Sequence, residues 1–232
     1  MLYQMSNLAG MDVIASDGNV GYIRDIYFDD ASWRVRYFVV DAGRPERRVL
    51  LSPEAIARID PEQRHAVFNL TSQQVQESPD YHAHEPISRR MEMDVRNYFG
   101  WPVYWPQGAE ETRAAISLIG EVEPTLRSGD AVIGYYVHAQ DGDIGHIDDF
   151  LIDDATWEVR YLIIDTRNWV PGKKVVIAPE WVMEIDWVQT KVHIDLDRTQ
   201  IQNSPEFDPN VPMSREYEEK LYGHYHRDPY WR

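Results

Sequence analysis

Histidines and carboxylates are the side chains of this sequence whose spacing could do chemistry. His82-Ala83-His84-Glu85 and His224-Tyr225-His226 each place two imidazoles two residues apart. That spacing brings both rings to one side only in extended chain. Neither group has a third and fourth ligand at the spacing of a structural zinc site. Asp141-Gly142-Asp143 and Asp148-Asp149 supply acids like those of a calcium loop, without its frame or its closing glutamate. Asp29-Asp30 and Asp153-Asp154 fall at hairpin tips, where water keeps a carboxyl from the raised pKa that general acid work needs. Gly100, Gly108, Gly120 and Gly129 stand too far apart for a phosphate loop, and there is no nucleophile elbow. The sequence therefore assigns no catalytic residue, no cofactor and no metal ligand, and it reads as a non-enzyme.

The elements that would position these residues occur twice. Asp17 to Asp41 returns as Asp141 to Asp165, 124 residues later, with 13 of 25 positions identical. A longer loop, Thr166 to Lys174, then stands where the first copy has Ala42 to Arg48, and the offset becomes 126 up to Tyr104-Trp105 and Tyr230-Trp231. Asp17-Gly18 and Asp141-Gly142 between apolar runs predict hairpins. Two alternating strands follow in each copy. A turn at Asp29-Asp30-Ala31-Ser32 sets Phe28 against Trp33, Ile26 against Val35 and Asp25 against Arg36. The second copy sets Asp149 against Arg160. Cross-strand ion pairs at Asp25–Arg36 and Asp149–Arg160 are the expectation.

Val49-Leu50-Leu51 and Val175-Val176-Ile177 read as short buried strands, and Ser52-Pro53 opens a helical turn. Strands at Ala57 to Asp60 and His65 to Leu70 follow, matched by Met183 to Trp187 and Val192 to Leu196. Thr71 to Gln74 and Asp197 to Gln200 have capping-box spacing. The last helices, Ser88 to Phe99 and Ser214 to Tyr225, carry Met91, Val95, Phe99 and Tyr217, Leu221, Tyr225 at helical spacing. The aromatic ends then pack back on a barrel, their own or the other copy's. The expected division is a first module over 1–106, a linker over 107–126 and a second module over 127–232.

The pattern Gly10…Asp17-Gly18…Gly21…Asp25…Asp29-Asp30…Arg36-Tyr37…Asp41…Leu51-Ser52-Pro53, repeated from Gly134 to Pro179, resembles the PRC-barrel family. The resemblance implies a mainly β chain of two small antiparallel barrels, each followed by short helices. Relatives include the cytoplasmic domain of the reaction-centre H subunit and the C-terminal domain of the ribosome maturation factor RimM. In both, the family suggests a docking surface rather than a catalyst. The H subunit's transmembrane helix and RimM's different N-terminal domain have no counterpart here, so neither role transfers.

Composition limits the partners. The chain has 232 residues, 39 acids against 23 bases and a net charge of −16. Nucleic acid and anionic membrane are repelled on average, and the Arg44, Arg47, Arg48 cluster reads as a solvated loop. There is no cysteine, no apolar run able to span a bilayer and no basic-then-apolar start. A cytoplasmic protein is expected, with no nucleic-acid partner and no membrane insertion. Trp101, Trp105, Trp169, Trp187 and Trp231 lie in loops or tails and are the candidate interface. An unidentified protein partner is the leading expectation, and a homo-oligomer is open. The second reading is a peripheral accessory of a membrane photosynthetic or electron-transfer complex. The third is an enzyme with its site between the modules.

Overall fold

The computed structural model describes residues 1–43, 47–81, 87–105, 126–166 and 173–231. In chain order the strands are β1 (Leu2–Gln4), β2 (Asp12–Ala15), β3 (Gly18–Asp29), β4 (Val35–Asp41), β5 (Arg48–Leu51), β6 (Ile56–Asp60), β7 (His65–Phe68), β8 (Leu126–Ser128), β9 (Tyr136–Ala139), β10 (Gly142–Asp153), β11 (Glu158–Asp165), β12 (Lys174–Ile177), β13 (Val182–Asp186) and β14 (Lys191–Ile194). Among the described residues the helices are α1 (Met5–Leu8), α2 (Ser72–Glu77), α3 (Arg89–Phe99), α4 (Gly129–Val132), α5 (Arg198–Gln202) and α6 (Arg215–Tyr225). The protein is mainly β, with two seven-stranded sheets.

The sheets share one strand order, β5-β4-β3-β2-β7-β6 in the first and β12-β11-β10-β9-β14-β13 in the second. They are not wholly antiparallel: β2 runs parallel to β7, and β9 to β14. The seventh strand of each is exchanged. β8 pairs with the far half of β3, Tyr27 facing Ser128 and Asp29 facing Leu126. β1 pairs with the far half of β10, Leu2 facing Asp153 and Gln4 facing Leu151. The chain accordingly divides into one compact unit of Asn7–Gly129 and another of Met1–Ser6 with Asp130–Arg232.

The expected register does not hold. Asp25 faces Val39 and Asp149 faces Ile163, so neither Arg36 nor Arg160 stands opposite its assigned partner. Two features shift the pairing. The turn takes four residues between Asp29 and Arg34, because the Trp33 amide donates to the Asp29 carbonyl (2.8 Å) and Trp33 adopts a left-handed φ of 56°. The Asp29 carboxylate holds this loop by accepting from the Ser32 amide (2.8 Å) and hydroxyl (2.6 Å). Beyond it, the register slips between Tyr27 and Phe28, leaving Arg36 as the extra residue of a β-bulge. The second sheet repeats this, with Trp157 at φ 56° and Arg160 in the bulge. Phe28 and Trp33 still meet, as stacked rings 5.3 Å apart.

The caps form as the sequence predicts. Thr71 and Asp197 each close a capping box, with Gln74 and Gln200 respectively, and Ser88 and Ser214 cap the last helices. Asp17 and Asp141, expected only to make turns, also accept from the backbone amides of Ser72 (2.7 Å) and Arg198 (2.8 Å) at the starts of α2 and α5. The α3 face of Met91, Val95 and Phe99 packs on Tyr37, Val39 and Leu50, with Leu126 from the exchanged strand in the same cluster.

Candidate functional site

The two bulge arginines position the most elaborate side-chain groups in each unit. In the first, the Arg36 guanidinium lies 3.7 Å from the Tyr104 ring centroid, and Arg89 lies 4.3 Å from that of Trp105. The Tyr104 hydroxyl donates to Glu92 (2.6 Å), which also accepts from Arg89 (2.9 Å). Glu92 is buried, and desolvation raises its pKa against the pull of Tyr104 and Arg89. Arg96 is 1% exposed; it donates to the Tyr37 hydroxyl (3.0 Å), to Glu54 (3.2 Å) and to the Pro102 carbonyl. A buried guanidinium is tolerable here because its charge is met by a carboxylate and two neutral acceptors.

The second unit builds the same clasp. Arg160 lies 4.3 Å from the Tyr230 ring centroid and Arg215 lies 3.9 Å from that of Trp231. Glu218 accepts from Tyr161 (2.9 Å), Tyr230 (3.0 Å) and Arg215 (3.1 Å). Tyr222 replaces Arg96 and donates to Glu180 (3.1 Å), as Arg96 does to Glu54. Each aromatic tail is thus clasped onto its own sheet. The motif was present in the sequence as Arg89…Glu92…Tyr104-Trp105 and Arg215…Glu218…Tyr230-Trp231, and only the tryptophans were singled out there.

The assigned ion-pair residues have other partners. Asp25 accepts from Ser128 (2.6 Å), and Asp149 accepts from Ser6 (2.5 Å), both carboxylates meeting the segment that brings the seventh strand. Arg36 donates to Ser32 (3.4 Å) and Arg160 pairs with Glu158 (2.7 Å). Among the candidate tryptophans, Trp101 stacks on Phe99 (4.2 Å), Trp187 meets Tyr135 edge-on (6.1 Å), and Trp105 and Trp231 lie in the clasps. All four are half-buried. Trp169 lies outside the described residues, as do Arg44, His82, His84, Glu85 and most of the expected linker. Arg47 and Arg48 are tied to Asp80 and Asp41 rather than forming a basic patch. One ring nitrogen of His224 is bonded to the Gln200 carbonyl (2.7 Å), so that nitrogen is a donor and not a metal ligand.

A different group could hold a metal: His146, Asp148 and Asp165 have ligand atoms within 4.8 Å of one another. A groove of about 290 Å³ also lies beside α6, lined by Phe207, Val211, Pro212, Met213 and Tyr217 with Glu216 and Lys220. No helix of the described residues is long and apolar enough to cross a membrane.

The stretch 2–74 matches the model of the PRC-barrel domain. Residues 2–74 hold a PRC-barrel domain. Searching curated proteins returns no match to the chain. The PRC-barrel stretch is a unit of sequence and not of space, because its first strand, Leu2–Gln4, completes the other sheet.

Proposed function

We propose that the chain is a tandem pair of PRC-type barrels serving as a non-catalytic protein-interaction or assembly module. The observation that carries this is the PRC-barrel domain at 2–74 together with a second sheet of the same strand order. Support extends to detail: both sheets have the left-handed tryptophan, the bulged arginine and the clasped tail. The strongly paired buried groups hold the tails, which favours a scaffold over a reaction centre. Two like surfaces in one chain suit bivalent docking of a protein partner or a second copy. The absence of cysteine agrees with a reducing, cytoplasmic setting.

Native extracts, split into soluble and membrane fractions and sized at natural abundance, test this. The expected result is an assembly well above the 27.2 kDa of the chain, containing a defined second protein. Elution as a free monomer in both fractions overturns the proposal. An assembly confined to the membrane fraction selects the membrane-accessory reading.

A further inference from the structure

His146 and Asp165 face each other across β10 and β11, and Asp148 is the extra residue of the bulge between Ile147 and Asp149. The ladder thus converges one imidazole and two carboxylates from neighbouring strands, with ligand atoms within 4.8 Å. Bulges often re-aim a side chain where a site is built. Asp165 is buried and fixed in the ladder, while His146 and Asp148 are half-buried. Lys174 donates to Asp148 at 2.6 Å.

The same place in the first sheet has different chemistry. Tyr22 and Asp41 are the facing pair, Arg24 is the bulge residue and Arg48 donates to Asp41 (2.9 Å). The Tyr22 hydroxyl is bonded to Asp41, which raises its pKa. The one carboxylate there is already paired with a guanidinium and bonded to a phenol, a group that does not favour a cation. Relative to the first copy, His146 and Asp148 replace a phenol and a guanidinium, two changes that favour a cation, while Lys174 in place of Arg48 keeps a positive charge.

We propose that His146, Asp148 and Asp165 form a divalent transition-metal site, confined to the second sheet, in which the ion displaces Lys174 from Asp148. One imidazole and two carboxylates suit Zn²⁺ better than Ca²⁺ or Mg²⁺, which take oxygen ligands. Donors around a tetrahedral zinc stand roughly 3.4 Å apart. Rotation of the His146 ring and the Asp148 carboxylate supplies the closure, with water as the remaining ligand.

Titration of the full chain with Zn²⁺ alone, followed by calorimetry and by the histidine ring signals in NMR, tests the site. The wild type should take up one equivalent that perturbs His146. His146→Tyr installs the first copy's residue, so it should keep the metal-free melting temperature and weaken uptake at least tenfold. Lys174→Met, which removes the competing ammonium, should tighten uptake. A His82→Ala/His84→Ala variant and a His224→Ala/His226→Ala variant should bind as the wild type does. No uptake by the wild type overturns the proposal. So does uptake that His146→Tyr leaves unchanged, or uptake lost only when the other histidines are removed.

Discussion

At the scale of single residues, position is fixed by close approach and by burial. A Cβ on Gly21 would lie 1.8 Å from the Asp41 carbonyl oxygen, and one on Gly145 would lie 2.0 Å from that of Asp165. Both glycines also have φ in the region that L side chains rarely adopt. Gly21→Ala and Gly145→Ala should each cost about 3 kcal/mol or more, read as a fall in the urea midpoint. Gly223, inside α6 with open space where a Cβ would sit, is the contrast; Gly223→Ala should gain about 0.5–1 kcal/mol. Glu92 gives a pH signature. Its folded pKa is raised above 4.5 by desolvation, so the folded state holds its proton longer than the unfolded chain. Its contribution to stability therefore falls as pH rises from 4.5 through the folded value. Glu92→Gln removes that slope, and its stability relative to the wild type should climb between pH 4.5 and neutrality in paired denaturation curves.

At the scale of elements, the sequence carried the strands, the caps and the last helices, because alternation, Ser or Asp before a helix and a Pro stop are local signals. It did not carry the register. Alternation is blind to a residue that leaves the ladder, and Trp33 at left-handed φ with Arg36 in a bulge moves every pair beyond the turn. The clasps were half legible: the tryptophans drew notice as loop aromatics, while Glu92 and Glu218 looked like helix-surface acids. His146 and Asp165 were missed because residues 19 positions apart meet only once the register is known. A double-mutant cycle separates the two registers. Arg36 and Tyr104 should couple by about 0.5–2 kcal/mol. Asp25 and Arg36 should couple by less than about 0.5 kcal/mol, the ordinary limit of additivity. Coupling in the reverse order would restore the ion pair and remove the clasp.

At the scale of the molecule, the recurrence of Asp17–Asp41 as Asp141–Asp165 was visible but the exchange was not. Leu2–Gln4 and Leu126–Ser128 precede equivalent hairpins, and nothing in either segment says which sheet it will join. The exchange changes where the chain can be cut. A fragment of residues 7–129 keeps all seven strands of its sheet. A fragment of residues 1–106 loses β8, and with it the buried Leu126. The shorter piece should be less stable by about 2–3 kcal/mol, from the burial of that side chain alone, measured by urea unfolding of the two. Equal stabilities would mean that β8 contributes nothing.

The exchanged strands also bear on the order in which a ribosome releases this chain. Residues 2–4 emerge well before the strand they pair with, which ends at Asp153. At roughly 5–20 residues per second, that partner follows by about 7–30 s. During that interval the opening segment has no native place, while the first sheet waits for Leu126–Ser128 to close its own gap. Strand β1 is thus made long before it can settle, and over that interval it stays open to capture.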